Sequence, residues 1–416
     1  MQVLHLTTNL LGGAGGAARR LHEGLMRAGV ASTVVTREPG DEQIPGVVTA
    51  QAKLGAKYGT VRRIVDRLPK LLYRRRVPER SFDPEWVPDR LPGIVRRVAP
   101  DVVNVHWICN SFASVRSIGQ LPSPVVWTLH DMWPMTGGCF YSEGCDRYRH
   151  ACGRCPVLGA AKDDDLSHRT LARKANAWSA LDLTLVAPSS WMADCARASD
   201  LFGHRRVERI PYGIDLDRFA PRDRARARDA FGLPQDRRLI LFGAWGDPRR
   251  KGLDLLSEAL RRFALEHGSS TDLVVFGMAG RVDVPGIRSH HLGHIAGEES
   301  IALLNSAADV TVVPSTWETL GFVALESIAC ATPVVAFDAA TGLRDVVEHR
   351  ETGFLARAFD PEDLARGIAW VIQDPARRDT LGRNARSKAE REFSLERQVR
   401  RYMDLYDELV EKSVHG

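Results

Sequence analysis

No apolar run in this chain approaches the roughly 18 to 20 residues that a membrane-spanning helix needs. The apolar N-terminal stretch is interrupted by Thr7, Thr8 and Asn9, and no Lys or Arg precedes Arg19, which does not fit a secretory signal. No internal repeat or low-complexity tract stands out. The arginines are not interleaved with an aromatic platform and no familiar nucleic-acid module is visible, so nucleic acid is not the expected partner. What remains is a globular chain of ordinary composition, 44% hydrophobic and 26% charged, with a cytoplasmic location as the expectation.

At 416 residues the chain exceeds the length over which one hydrophobic core keeps growing, so two domains are the default. Its net charge of +5 is unevenly spread. Residues 53 to 80 hold ten basic side chains against Asp66 and Glu79, a surplus larger than that of the whole chain. Within that segment Leu54, Tyr58, Val61, Ile64, Val65, Leu68, Leu71 and Leu72 recur at spacings of three and four, which describes a basic amphipathic helix or helix pair broken near Pro69. Two fates are open to it. Either the apolar stripe packs on a core with its charges in water, or it lies on an anionic membrane surface.

Strand-like and helix-like stretches alternate along the chain. Val3 to Thr7, a glycine-rich turn, a helix over 17–28 and Ser32 to Thr36 make a βαβ opening, followed by apolar runs at Val102 to His106, Val125 to Leu129 and Leu183 to Ala187. A second series runs through Leu239 to Gly243, Leu273 to Gly277, Val310 to Val313 and Val334 to Phe337. Two doubly wound parallel sheets follow from this rhythm, an α/β architecture with an expected division into residues 1–206 and 207–394. The amphipathic stretch from Leu395 onward, within 395–416, is expected to return to the first domain.

The most informative segment runs from Ser315 to Glu326. Val310 to Val313 reads as a buried strand and Phe322 to Cys330 as a core-facing helix, so Glu318 falls in the connecting loop and Glu326 on the helix flank. Between them the amides around Thr319, Leu320, Gly321 and Phe322 would sit at the positive end of the helix, where a diphosphate can bind. Carboxylates repel phosphate, so the two acids are suited to hydroxyls. The spacing Ser315-x2-Glu318-x2-Gly321 and the Glu318-x7-Glu326 pair resemble the signature of retaining glycosyltransferase family 4, whose fold is GT-B, two Rossmann-like domains facing a central cleft. The resemblance implies that Glu318 contacts the donor sugar and Glu326 the nucleotide ribose. It also extends to Pro211-Tyr-Gly-Ile-Asp215, which is similar to the family's linker signature with Tyr212 in place of Asn.

Other constellations fit the same picture. Asp247-Pro-Arg249-Arg250-Lys251-Gly252 follows one predicted strand and precedes a helix near Leu253, where cations can stabilise a departing nucleoside diphosphate. Lys251 matches the family's basic element; its usual Arg position holds Ala244 here, so either Arg249 or Arg250 substitutes or the role is vacant. His130 and Asp131 lie just past a strand end, where open sheets place ligands, and family members carry an active-site His or Asp at that position. Gly12 to Ala17 form a glycine-rich junction whose Gly15 and Gly16 would meet the donor. The same residues loosely fit a dinucleotide fingerprint with Glu38 as its acid, which is the oxidoreductase alternative.

Four of the seven cysteines cluster as Cys139-x5-Cys145-x6-Cys152-x2-Cys155. In a reducing compartment clustered cysteines favour metal over disulfide, and the last pair alone has the short spacing usual in zinc knuckles, so a structural zinc site is expected, with disulfides or plain thiols as alternatives. The reading is then a retaining hexosyltransferase that needs no cofactor for catalysis. It would use a nucleotide diphosphate sugar and a glycan or lipid-linked acceptor in polysaccharide assembly, with peripheral membrane contact through residues 53–80. A nucleotide-sugar 2-epimerase and a non-catalytic nucleotide-sugar binder are the alternatives within the fold.

Overall fold

Short runs rich in Val, Ile and Leu become parallel strands here because both of their faces are covered. The computed structural model describes every residue except 38–43, 51–54, 78, 123, 268–269, 279, 340 and 416, and of 55–58, 414 and 415 it describes the backbone alone. Two units result, Met1–Ile210 with Gln398–Gly416, and Pro211–Arg397. Glu38, the acid of the oxidoreductase alternative, lies outside the described residues, as do Lys53 and Leu54.

The first unit holds β1 (Gln2–Thr7), β2 (Ala31–Thr36), β3 (Val47–Thr49), β4 (Val102–Val105), β5 (Val125–Thr128), β6 (Leu183–Ala187) and β7 (Arg206–Arg209). They pair in parallel in the order β3-β2-β1-β4-β5-β6-β7. The order reverses between β1 and β4, so the loops leaving their carboxyl ends diverge and open a crevice there. Beneath β5 the core is aromatic: Trp127 and Trp178 meet edge to face at 5.1 Å, and Trp178 stacks on Phe202 at 6.2 Å. The helix Leu395–His415 closes this unit. Its buried Tyr406 hydroxyl accepts from Asn104 of β4 at 2.6 Å, its Tyr402 hydroxyl meets Thr128 of β5 at 2.8 Å, and its Glu408 takes a two-pronged bond from Arg206 of β7 at 2.7 and 2.8 Å.

The second unit holds β8 (Arg238–Gly243), β9 (Thr271–Phe276), β10 (Arg288–Gly293), β11 (Val310–Val313), β12 (Val334–Asp338) and β13 (Gly353–Arg357), in the order β10-β9-β8-β11-β12-β13. Here the reversal lies between β8 and β11, paired at Val310 with Ile240 and Thr311 with Leu241. Segments near the two ends of this unit are tied to each other. Ile214 donates its amide to Phe393 at 2.8 Å and accepts from Leu395 at 3.0 Å.

Several expectations needed correcting. The glycines placed in a turn belong to a helix, Gly12–Arg27. The chain enters it through Gly12 at φ +68, and a Cβ on Gly15 would sit 2.6 Å from the Asn9 carbonyl oxygen, so this helical turn lies flush against the loop before it. Strands β3, β7, β10 and β13 were not anticipated, because they are short or polar; β10 reads Arg-Ser-His-His-Leu-Gly and is only partly buried at the sheet edge.

The basic segment also departs from the simple amphipathic picture. It forms a helix, Gly55–Arg67, and a tighter turn, Leu68–Leu72, with Pro69 near the junction. The inward side chains are ionic. Arg62 is 4% exposed and donates to the carbonyls of Ser111, Phe112 and Val87, while Asp66 accepts the Trp86 amide at 2.9 Å. Val61, Ile64, Leu68, Leu71 and Leu72 face water instead, at 48 to 83% exposure. Arg62 takes the inner position because the irregular stretches at Val87 and at Ser111 and Phe112 present carbonyls that no strand partner satisfies.

Candidate active site

Lys251 and Glu318 meet at the switch point of the second sheet, on the loops that leave β8 and β11. The approach is set by Gly252, whose φ is +74 and whose Cα faces the Pro314 carbonyl so closely that a Cβ would fall 1.9 Å from its oxygen. The two loops are then stitched together: Thr316 donates its amide to the Arg250 carbonyl at 2.9 Å, and the Arg250 guanidinium donates to the Trp317 carbonyl at 2.9 Å. Lys251 Nζ lies 2.5 Å from Glu318 Oε1, the Ser315 hydroxyl donates to the same oxygen at 3.0 Å, and Arg250 stands 3.6 Å away. Burial by itself would raise the Glu318 carboxyl. The Lys251 and Arg250 charges, with the Lys251 and Ser315 hydrogen bonds, outweigh it and hold the group below its ordinary value.

The loop then turns into the helix Phe322–Ala329 through Gly321 at φ +98, where a Cβ would press on Leu343 at 2.7 Å. Thr319 and Leu320 are buried in this turn, and Gly342 supports it by donating its amide to the Glu318 carbonyl at 2.9 Å. Phe322, the first helical residue, stacks on Tyr212 with ring centres 4.8 Å apart and planes 6° from parallel. Tyr212, which replaces the family's Asn, therefore braces the head of this helix. Glu326 follows one turn later on the same helix and is 7% exposed. Arg250, Lys251, Glu318, Thr319, Leu320 and Gly321 are thus brought together around one helix head.

In the first unit His130 leads a chain of imidazoles. Its Nε2 lies 2.9 Å from His106 Nδ1, and His106 Nε2 lies 3.0 Å from His5 Nδ1. The rings overlap with centres 5.2 Å apart at both steps. Burial depresses all three, His130 and His5 to about 3, so the chain is neutral at physiological pH. His5 Nε2 is buried without a partner. A buried bare lone pair is the lesser penalty than an orphaned N–H, which makes His5 and His106 donate from Nδ1 and leaves His130 protonated on Nδ1. His130 is then a fixed donor and a poor proton shuttle. Sequence reading missed His5 and His106; strand membership was their only signal.

Asp131 is also fully committed. Its carboxylate accepts from the Trp107 indole at 2.9 Å and the Trp133 amide at 2.8 Å, and burial lifts it to about 7 against those bonds. Behind it buried Lys174, lowered to about 7 by desolvation, donates to the Trp133 and Thr136 carbonyls and lies 3.5 Å over the Trp133 ring.

Gly15 is buried under the Asn9 carbonyl, whereas the space above Gly16 is open. Cys139, Cys145, Cys152 and Cys155 are free thiols that line one small cavity. No three of them stand at metal-ligand spacing. Among the described residues the three-donor group within 4.8 Å is Asp83, Glu85 and Cys109, in which burial raises the Glu85 carboxyl well above its usual range and favours a neutral acid over an ion ligand.

Comparison with known proteins agrees with this geometry. Residues 11–218 match the family model described as Glycosyltransferase Family 4, and residues 223–388 match Glycosyl transferases group 1. D-inositol 3-phosphate glycosyltransferase of Geodermatophilus obscurus is 37% identical over 224 residues, 50% of this chain and 48% of that protein. The protein of the same name from Streptosporangium roseum is 35% identical over 208 residues, 46% and 47% of the two chains. The chain spans about half the length of the curated relatives it matches. Among solved structures, sucrose-phosphate synthase from Thermosynechococcus elongatus superposes with a TM-score of 0.72 at 22% identity, covering 99% of this chain and 100% of its own. Anabaena HepE in complex with UDP-glucose gives 0.67 at 18%, covering 98% and 100%. At these identities the likeness speaks for the fold. With both units matched and the GT-B fold shared, the chain belongs to family 4 of the glycosyltransferases, the group 1 glycosyltransferases.

Proposed function

We propose that this chain transfers a hexose-type sugar from a nucleotide diphosphate sugar to a hydroxyl group, with retention of anomeric configuration, during assembly of a cell-surface glycan. The observation that carries the reading is the Lys251 and Glu318 pair at the head of the Phe322–Ala329 helix. A diphosphate arriving there competes with Glu318 for Lys251 and Arg250 and meets the helix amides. Glu318 is thereby released to accept from sugar hydroxyls, and Glu326 accepts from the ribose. In the transfer the bond from the anomeric carbon to the phosphate oxygen breaks and the acceptor oxygen bonds to that carbon on the same face. The acceptor proton passes to the departing phosphate oxygen. Asp131 does not suit the part of a nucleophile, since both of its oxygens are engaged, and the neutral His130 suits a hydrogen bond to a substrate oxygen better than proton transfer. Names of the relatives and neighbours point the same way: the curated relatives act on D-inositol 3-phosphate, and HepE was solved with UDP-glucose.

The test is turnover of uridine, guanosine and adenosine diphosphate sugars with an inositol phosphate or a lipid-linked saccharide, followed by NMR. Nucleoside diphosphate release that depends on acceptor, with product keeping the donor's anomeric configuration, is expected. Acceptor-independent isomerisation at C2 would make the protein an epimerase, binding without turnover would make it a sensor, and an inverted product would refute retention.

A lipid-linked acceptor requires the enzyme to reach a membrane surface, and residues 53–80 are suited to that. Their outward Val61, Ile64, Leu68, Leu71 and Leu72 adjoin exposed Arg67, Arg74, Arg75 and Arg76, a pairing of apolar insertion with attraction to anionic headgroups. Binding to vesicles containing about 30% phosphatidylglycerol and loss on neutral phosphatidylcholine are expected, at about 1 kcal/mol per basic residue near the surface, and Leu71→Ser with Leu72→Ser should weaken binding at least about tenfold through lost apolar insertion. Equal sedimentation of both proteins with both vesicle types would remove the membrane from the proposal.

A further inference from the structure

The stretch from Gly137 to Asp164 is long, crosses the first unit, and contains no regular element beyond the single turn Arg147–Arg149. Segments of this kind are ordered by something other than strand or helix ladders. All four clustered cysteines lie in it. They line a cavity of about 20 Å³, room for a single water-sized particle, whose wall also includes Phe82, Tyr148, Gly137 and the basic Arg147.

The backbone around the sulfurs is unusual in two respects. Cys152, Gly153 and Arg154 have φ of +56, +95 and +41, three consecutive residues in the left-handed region of which two carry a Cβ. Such runs persist where the surroundings over-determine them. In addition, amides are aimed at sulfur: that of Gly137 at Cys152, and those of Val157 and Leu158, two and three residues on, at Cys155. Amide donors stabilise a thiolate, whether free or metal-bound, far more than they do a neutral thiol.

We propose that Cys139, Cys145, Cys152 and Cys155 hold one zinc ion as a tetrahedral tetrathiolate site that fastens this segment. Each thiol gives its proton to solvent on binding, and no oxidation is involved. Zinc–sulfur bonds of about 2.3 Å set the sulfurs about 3.8 Å apart, so the ion draws the thiols inward from their present spacing. Immediately before the segment lie the Trp133 and Thr136 carbonyls that hold Lys174, and before them Asp131 and His130. The ion is therefore structural, and it stiffens the ground on which His130 stands. The site does not depend on the transfer reaction, and its test does not use activity.

The experiment is metal analysis of the untagged full-length protein purified without chelator, with thiol counting and intact mass alongside. About one zinc per chain is expected, falling below about a tenth in Cys152→Ser with Cys155→Ser. Cys195→Ser and Cys330→Ser, outside the cluster, retain it. Blocking the thiols with an organomercurial should release about one zinc per chain to a colorimetric indicator, and denaturation with chelator should expose all seven reduced thiols. Wild-type protein free of metal with all thiols reduced overturns the proposal. So does zinc unchanged in the double variant, iron with acid-labile sulfide, or a mass deficit showing disulfides. If the double variant does not fold, Cys145→Ser, altered at a half-buried thiol, gives the same comparison, and the wild-type stoichiometry decides by itself.

Discussion

Replacing Lys251 with Ala lowers kcat/KM for the donor by about a thousandfold, about 4 kcal/mol, the effect seen when a preorganised charge-stabilising donor is removed. Two losses combine. The departing diphosphate loses its nearest cation, and Glu318 is left buried with Arg250 at 3.6 Å as its remaining positive neighbour. The second loss shows in the pH dependence of stability. In the native protein the Glu318 carboxyl is depressed, so its contribution is full above the ordinary carboxylate value of about 4.3 and disappears as pH falls through the lower folded value. Without Lys251 desolvation prevails and the folded value rises above the unfolded one, so the charged form is penalised at neutral pH and the penalty is relieved by acid. The deficit in Tm relative to wild type should therefore be larger at pH 8 than at pH 5. Steady-state kinetics and thermal melts at the two pH values check both halves. An unchanged kcat/KM would dismiss Lys251 from the diphosphate, and a pH-independent deficit would dismiss the electrostatic account of its partnership with Glu318.

Glu326→Ala is expected to weaken nucleotide-sugar binding by about ten- to a hundredfold, the worth of charge-assisted hydrogen bonds at about 1.5 to 3 kcal/mol. Its pattern across ligands matters more than its size. A carboxylate on the ribose is felt by the bare nucleoside diphosphate and by the nucleotide sugar alike, whereas a carboxylate on the transferred sugar is felt by the latter only. Calorimetry with both ligands should therefore show Glu326→Ala weakening both, and Glu318→Gln weakening chiefly the nucleotide sugar. Equal affinity of Glu326→Ala and wild type for both ligands would strip Glu326 of its assigned role.

Much of the sheet architecture could be read because buried parallel strands carry a dense local signal. Leu183 to Ala187 and Val310 to Val313 were placed with the bounds that the structure shows, and most other runs within two residues. The signal fails where a strand is half-buried, as in β10, whose two histidines and arginine resemble a loop. It also fails for the glycines near residue 15, because chain-breaking propensity is local while the close fit against Asn9 is tertiary. In the candidate site the loop acids and bases were legible from their position after strands. Their mutual pairing was not, since Lys251 and Glu318 are 67 residues apart and meet through the missing Cβ of Gly252. The histidine chain was invisible for a related reason: His5 lies in β1 while His106 and His130 lie just past the ends of β4 and β5, and nothing local marks them as neighbours.

The last helix has a consequence for anyone exchanging halves between family members to change specificity. Because Asn104 and Thr128 find their hydroxyl partners on Tyr406 and Tyr402, a transplanted N-terminal half that leaves its tail behind carries two orphaned polar groups in its interior. Arg206 would lose Glu408 in the same cut and keep only Glu208 of its own strand. A viable chimaera of this protein therefore has two splice points, near residue 210 and near residue 398, and the N-terminal half and the tail must come from the same parent.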